Sequence, residues 1–192
     1  MARPKGFDEA AALRAAMEAF RARGYEATSL TDLTRCMGIQ KASLYGTYGD
    51  KWQLFLSALR RYEEVTLEIM EQALQQPGPV RVAIRDYLSG VVAESRCAAG
   101  GGCLFTTATV ELAPRDPEIA ERSRHYRERM TGVYRQALER GKATGEVGSA
   151  VDAETAAAFL TTFQYGLSVT LKTEPDAATV ARLIDAALSV LD

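Results

Sequence analysis

Reactive side chains are scarce in this chain: its 192 residues include three cysteines, one histidine and one tryptophan. Cys36, Cys97 and Cys103 are too few and too scattered for a disulfide framework, and no two form the C-x-x-C pair that structural zinc favours. Reduced thiols are expected. His125 stands alone in the charged segment RSRHYRER, so there is no imidazole set for a metal site or a histidine-activated nucleophile. Gly100 to Gly102 lacks both the lysine and the preceding strand of a phosphate-binding loop. A small helical enzyme would need one of these devices, and the sequence offers none. No enzyme and no cofactor are therefore expected. Long apolar runs are missing as well: nothing approaches the roughly 20 residues of a membrane-spanning helix. The amino terminus, MARPKGFDEAAALRAAM, has acidic residues and alanines where a signal peptide needs an unbroken apolar core. A cytoplasmic chain with no membrane partner is expected.

Net charge is only −2, yet it is unevenly spread. Residues 1 to 62 hold ten Lys/Arg against six Asp/Glu, and residues 63 to 192 hold thirteen against nineteen. Such a split fits a chain whose amino-terminal third alone faces a polyanion.

Helical periodicity runs through the whole sequence. Leu13, Ala16, Met17 and Phe20 share one face of a first helix over residues 8 to 23, with Arg14, Glu18, Arg21 and Arg23 expected on the other faces and Gly24 as the stop. Ser29 followed by Asp32 approximates a capping box for a second helix from about Leu30 to Met37. Gly38 ends it, Ile39 packs inward, and a third helix of about seven residues starts near Lys41. A fourth runs from Lys51 to about Gln76, where PGP breaks the chain. Later helices are expected over 80 to 96, 103 to 112, 118 to 142 and 153 to 172, and one more after Pro175-Asp176. Sustained two-residue alternation is lacking throughout. The fold class is all-α, with about nine helices and no internal repeat.

The second helix, the Gly38-Ile39 turn and the short third helix form a helix-turn-helix, whose second helix can enter a major groove. On its outer side lie Lys41, Ala42, Ser43, Tyr45 and Thr47, while Leu44 and Tyr48 face Leu33 and Phe20. Lysine can reach a guanine edge or a phosphate, the hydroxyls can donate or accept, alanine can meet a thymine methyl, and Tyr45 can bond a phosphate. Lys51 stands at a helix start, where the dipole disfavours a cation unless a phosphate sits between.

Residues 7 to 55 resemble the DNA-binding domain of the TetR family of transcriptional repressors. The matching elements are A-x-x-x-F (16 to 20), G-Y-x-x-T-S-L-x-D-L (24 to 33), G-I-x-K-A-S-L-Y (38 to 45) and Y-G-D-K-x-x-L-F (48 to 55). The resemblance assigns contacts with double-stranded operator DNA to Ser29, Thr31, Lys41, Ala42, Ser43, Tyr45, Thr47 and Lys51. Gly46, where relatives often carry a large contacting side chain, and Gly49 depart from the pattern and bear on base specificity.

The resemblance continues more faintly over residues 80 to 192. It implies a DNA-binding domain over 1 to 50 and a helical second domain over 51 to 192 that binds a small inducer and forms a homodimer. Phe159, Thr162, Gly166, Leu183, Ala187 and Leu191, on two helices with few charges, are the expected dimer face. Inward positions Tyr87, Val91, Phe105, Thr109, Tyr126, Met130, Tyr134 and Phe163 are the expected inducer contacts. With no cationic cluster inside these helices, a largely uncharged or aromatic inducer is expected. An alternative is a thiol sensor: Cys97 and Cys103 frame a glycine break, and GGCL is similar to a segment of electrophile-responsive relatives. Against it, Leu104 and Phe105 make an apolar neighbourhood in which Cys103 is inert filler. Cys36 is expected to be structural.

Overall fold

The computed structural model describes residues 6 to 97, 102 to 173 and 175 to 192, except for the side chain of Cys97. Among these residues there are nine α-helices and no strand: α1 (Glu9–Arg23), α2 (Leu30–Met37), α3 (Lys41–Tyr48), α4 (Lys51–Leu74), α5 (Val80–Cys97), α6 (Leu104–Glu111), α7 (Pro117–Thr144), α8 (Ala153–Thr170) and α9 (Ala177–Leu188). α8 and α9 each run on into a short 3-10 turn, Leu171–Thr173 and Ser189–Leu191. None of the described helices is long and apolar enough to cross a membrane.

Helix starts are set by acidic caps. Asp8, Asp50, Asp116, Asp152 and Asp176 each accept a backbone N–H of the first turn that follows. Ser29 and Asp32 form the reciprocal box at α2: Ser29 Oγ accepts from Asp32 N at 3.1 Å, and Asp32 Oδ2 accepts from Ser29 N at 3.2 Å. The Ser29 bonds, aided by Arg23 and Arg35, hold the Asp32 carboxyl below the usual carboxylate range.

The amino-terminal helices share one core. Phe20 of α1 is fully buried and meets the Phe55 ring of α4 edge-on at 5.0 Å, while Leu33 of α2 and Leu44 of α3 seal against it without exposure. This core is continuous with that of the second domain, where α7 packs on α8, α4 and α6, and α5 packs on α4, α7 and α9. α4 is the shared element. Its buried face runs from Leu54 and Phe55, beside α1, to Met70 and Leu74, beside the later helices.

Arg21 departs from the expected pattern. It is only 3% exposed, because it follows Met17 by one turn and so falls on the same buried stripe as Phe20. Cys36 departs too: it is exposed, with its thiol directed to the carbonyls of Leu33 and Ala15.

The turn after α1 joins the two domains. Gly24 has φ +83° and ψ −179°, a region open to glycine alone. That conformation lets the next two amides, Tyr25 N and Glu26 N, donate to the two carboxylate oxygens of Glu111 at the end of α6, each at 2.8 Å. A Cβ on residue 24 would stand 2.5 Å from Glu111 Oε2. Gly24→Ala should therefore destabilise the protein by about 1–3 kcal/mol from backbone strain alone. Thermal unfolding should register this as a fall of roughly 2–4 °C per kcal/mol. An unchanged melting temperature would show the turn to be slack.

Candidate nucleic-acid interface and inner cavity

The tight turn between α2 and α3 uses Gly38 in the left-handed conformation, φ +66°, with Ile39 N donating back to Thr34 O at 3.1 Å. This presents α3 with Leu44 as its one fully buried residue and the opposite side free. Lys41, Ala42 and Tyr45 are exposed, Ser43 and Thr47 half-buried, and a Cβ at Gly46 would meet nothing within 4 Å. Tyr48 turns inward, its hydroxyl donating to Glu9 O at 3.2 Å. The expected outer side of α3 is thus the outer side found.

Lys51 is held more closely than its position alone predicts. Its Nζ lies 4.2 Å from the centroid of the Tyr25 ring, a cation–π contact, and that ring meets Trp52 edge-on at 5.3 Å and Phe55 at 5.0 Å. Asp50, capping α4 through Gln53 N at 2.8 Å, supplies the negative charge that a helix start favours. Thr31 is exposed on the first turn of α2. Ser29 is exposed as well, but its hydroxyl donates to Asp32 Oδ2 at 2.6 Å, so the proton it would offer a phosphate is already engaged.

A small cavity of about 50 Å³ lies between the end of α1 and the helices of the second domain. Of the eight positions expected to contact an inducer, Tyr87, Val91 and Tyr126 line it. Phe105 stacks behind Tyr126 with ring centroids 4.1 Å apart, Met130 and Tyr134 are sealed in the core, and Phe163 packs half-buried against it. Thr109 opens instead on a separate surface hollow between α6, α7 and α8. An outer groove of about 560 Å³ between α4 and α5 shares Ile69, Tyr87, Val91 and Glu94 with the cavity.

The polar wall of the cavity was not anticipated. Arg21, Tyr62, Thr66, Glu94 and Gln164 all line it. Arg21 Nη1 donates to Glu94 Oε1 at 2.6 Å, and Nη2 lies 2.9 Å from Glu18 Oε2. Burial works against its charge, but the Glu94 bond and both carboxylates outweigh that and raise its pKa further. Tyr134 donates to Gln164 Oε1 at 2.8 Å, and Gln164 Nε2 donates to Tyr87 at 2.9 Å. Burial raises the phenols of Tyr62, Tyr126 and Tyr134, and pushes Tyr87 up to about 12. All four are neutral donors at physiological pH. The signal that could have found this wall was Gln164, a lone amide at a helix position that the periodicity buries.

Cys103 borders the same cavity, within hydrogen-bond reach of Tyr62. The other half of the thiol pair, the Cys97 side chain, lies outside the described residues, as do Gly100 and Gly101 of the glycine break.

Of the expected dimer positions, Phe159, Thr162 and Gly166 on α8 and Leu183 on α9 are exposed. Ala187 and Leu191 are not: 3% and 1% exposed, they close the chain's own core, so they are corrected from interface to interior. The cause is register, since Ile184, Ala187, Leu188 and Leu191 form the inward stripe of the last helix and turn, and Leu183 lies off it.

Comparison with known proteins agrees with this arrangement. Residues 12–58 match the family described as bacterial regulatory proteins, tetR family, and residues 80–187 match the tetracyclin repressor-like C-terminal domain. The chain is 36% identical over 194 residues to the uncharacterized HTH-type transcriptional regulator YezE of Bacillus subtilis, with 100% of each chain covered. It is 32% identical to the HTH-type transcriptional repressor ComR of Escherichia coli, covering 88% of this chain and 82% of that protein. Among solved structures, a cysteine mutant of the TetR-family regulator CifR complexed with a 26-base-pair double-strand operator superposes with a TM-score of 0.87 at 29% identity, covering 100% of both chains. A second CifR operator complex gives 0.85 at 31% identity, covering 97% of this chain and 98% of that one. The chain belongs to the TetR family of DNA-binding transcriptional regulators, which are not enzymes.

Proposed function

We propose that the protein is a homodimeric repressor that binds a palindromic operator and is released by a small, largely uncharged inducer. Residues 1 to 50 form the DNA-reading unit and residues 51 to 192 the effector and dimer unit, with α4 common to both. A cytoplasmic location accompanies this reading.

The observation that carries it is the free polar side of α3, Lys41, Ala42, Ser43, Tyr45 and Thr47, standing beside a Lys51 already immobilised on Tyr25. Pre-ordering of this kind lowers the entropy lost when the ammonium meets a phosphate. The DNA side also asks for two copies, because one short recognition helix reads few base pairs and half-sites lie about 34–36 Å apart. Phe159, Val169 and Leu183 are 45%, 51% and 39% exposed on α8 and α9, an apolar face that a monomer would leave in water. The inducer occupies the inner cavity, entering by the outer groove whose walls it shares. Its binding favours an arrangement in which the two α3 helices no longer match successive major grooves.

Lys51→Ala should weaken binding to operator and random DNA alike and reduce the dependence of log affinity on log salt by about one unit. Tyr45→Phe, losing a neutral phosphate bond, should weaken binding with the slope intact. Fluorescence anisotropy titrations across salt concentration check both, and an unaltered slope for Lys51→Ala would remove its phosphate role. Joint replacement Phe159→Asp and Leu183→Asp should yield a folded monomer in sedimentation velocity. A dimer surviving it would place the interface elsewhere.

A further inference from the structure

The cavity has more donors than its own acceptors use. Arg21 has Nη1 on Glu94 and Nη2 on Glu18, but its Nε is sealed from solvent with no partner. Tyr87 is the acceptor at the end of the chain Tyr134 to Gln164 to Tyr87, so its own proton is left over. Each donation in such a chain polarises the next group and strengthens that remaining proton as a donor. Tyr126, by contrast, is already satisfied. Thr66 Oγ1 donates to Tyr62 O at 2.7 Å, which makes it the acceptor from Tyr126 at 3.0 Å. Two unspent donors, Arg21 Nε–H and Tyr87 O–H, therefore belong to side chains that border one small cavity. Leaving a buried donor unmade is costly, and an incoming acceptor recovers that cost.

We propose that the effector is a small uncharged molecule whose carbonyl or ether oxygen accepts from Arg21 and Tyr87; this rests on the reading of the cavity as the effector site. Charge excludes the alternatives. Arg21 is already matched by two carboxylates, so a ligand anion would add a third negative charge, and an ammonium would bring a second cation against the buried guanidinium and compete with it for Glu94. Size narrows the class further. About 50 Å³, at roughly 10–15 Å³ per water-sized unit, holds on the order of three to five heavy atoms within the cavity itself. Arg21 belongs to α1, so the effector touches the DNA-reading unit directly rather than through intervening helices.

The test uses the ¹⁵N-labelled full-length protein and four probes of matched size: 2-butanone, cyclopentane, propionate and n-butylamine. The Arg21 Nε–H and Gln164 side-chain amide resonances should shift saturably with 2-butanone and stay in place with the other three. Tyr87→Phe should weaken the butanone response about five- to tenfold, the loss of one hydrogen bond. Arg21→Lys, which keeps the charge but has no Nε–H, should weaken the response at Gln164 by a similar factor. If that variant fails to fold, Tyr87→Phe alone decides the matter. Saturation by propionate or butylamine with butanone silent would overturn the acceptor assignment and leave the cavity as an effector site. Silence with all four probes would contradict that broader reading as well.

Discussion

Two amide groups on one carboxylate tie the turn after α1 to the end of α6. Glu111, at the end of α6, accepts from Tyr25 N and Glu26 N, and only the glycine conformation at residue 24 presents those amides together. One turn earlier on α1, Arg21 reaches Glu94 on α5. The last turn of α1 is therefore fastened to two helices of the second domain, while its Phe20 packs edge-on against Phe55 of α4. Through the ring of Tyr25 the same seam reaches Lys51. A displacement at α5 or α6 thus has a short path of contacts to the cation poised beside α3. α6 begins at the cavity, next to Cys103, and ends at the seam, so it links the two.

Electrostatics divide the molecule in the same way. Lys41 of α3 lies 5.8 Å from the centroid of the Tyr45 ring and the half-buried Lys51 of α4 lies 4.2 Å from that of Tyr25, contacts that order the two cations without neutralising them. The buried cation of α1 is matched by Glu18 and Glu94, whose side chains are 44% and 64% exposed. Those carboxylates are easily resolvated, whereas Arg21 is not. The pair is therefore asymmetric: Glu94 can turn to water while Arg21 cannot, and Glu94 is one of the ties between α1 and α5.

Most of the architecture was legible before any coordinates. Helix boundaries followed from the Ser29–Asp32 box, the glycine stops and the PGP break, and the outer side of α3 followed from Leu44 and Tyr48 as its inward positions; the aspartate caps at Asp8, Asp50 and Asp116 were not read. That outer side was readable because a short helix is local: eight residues fix which side chains share a face. The cavity was not, because its wall is assembled from five helices, and periodicity separates inward from outward without telling core from cavity lining. Met130 and Tyr134 are as inward as Tyr126, yet only Tyr126 opens on the void. Arg21 was missed for another reason: a charged residue on an amphipathic helix is assigned to solvent by default, and only its carboxylate partners, 73 residues apart in one case, make its burial affordable. Ala187 and Leu191 were misplaced because an uncharged helix does not reveal which of two apolar faces meets its own chain.

The seam at Glu111 is the element on which this account most depends, and amide hydrogen exchange measures it directly. In the full-length protein, Glu111→Ala should speed exchange at Tyr25 N and Glu26 N by about tenfold or more, the loss of a charge-assisted bond, while the amides of Leu33 in α2 and Leu44 in α3 keep their protection. Unchanged exchange at Tyr25 and Glu26 would mean that the turn is held by something else and that α6 does not carry the connection between cavity and DNA.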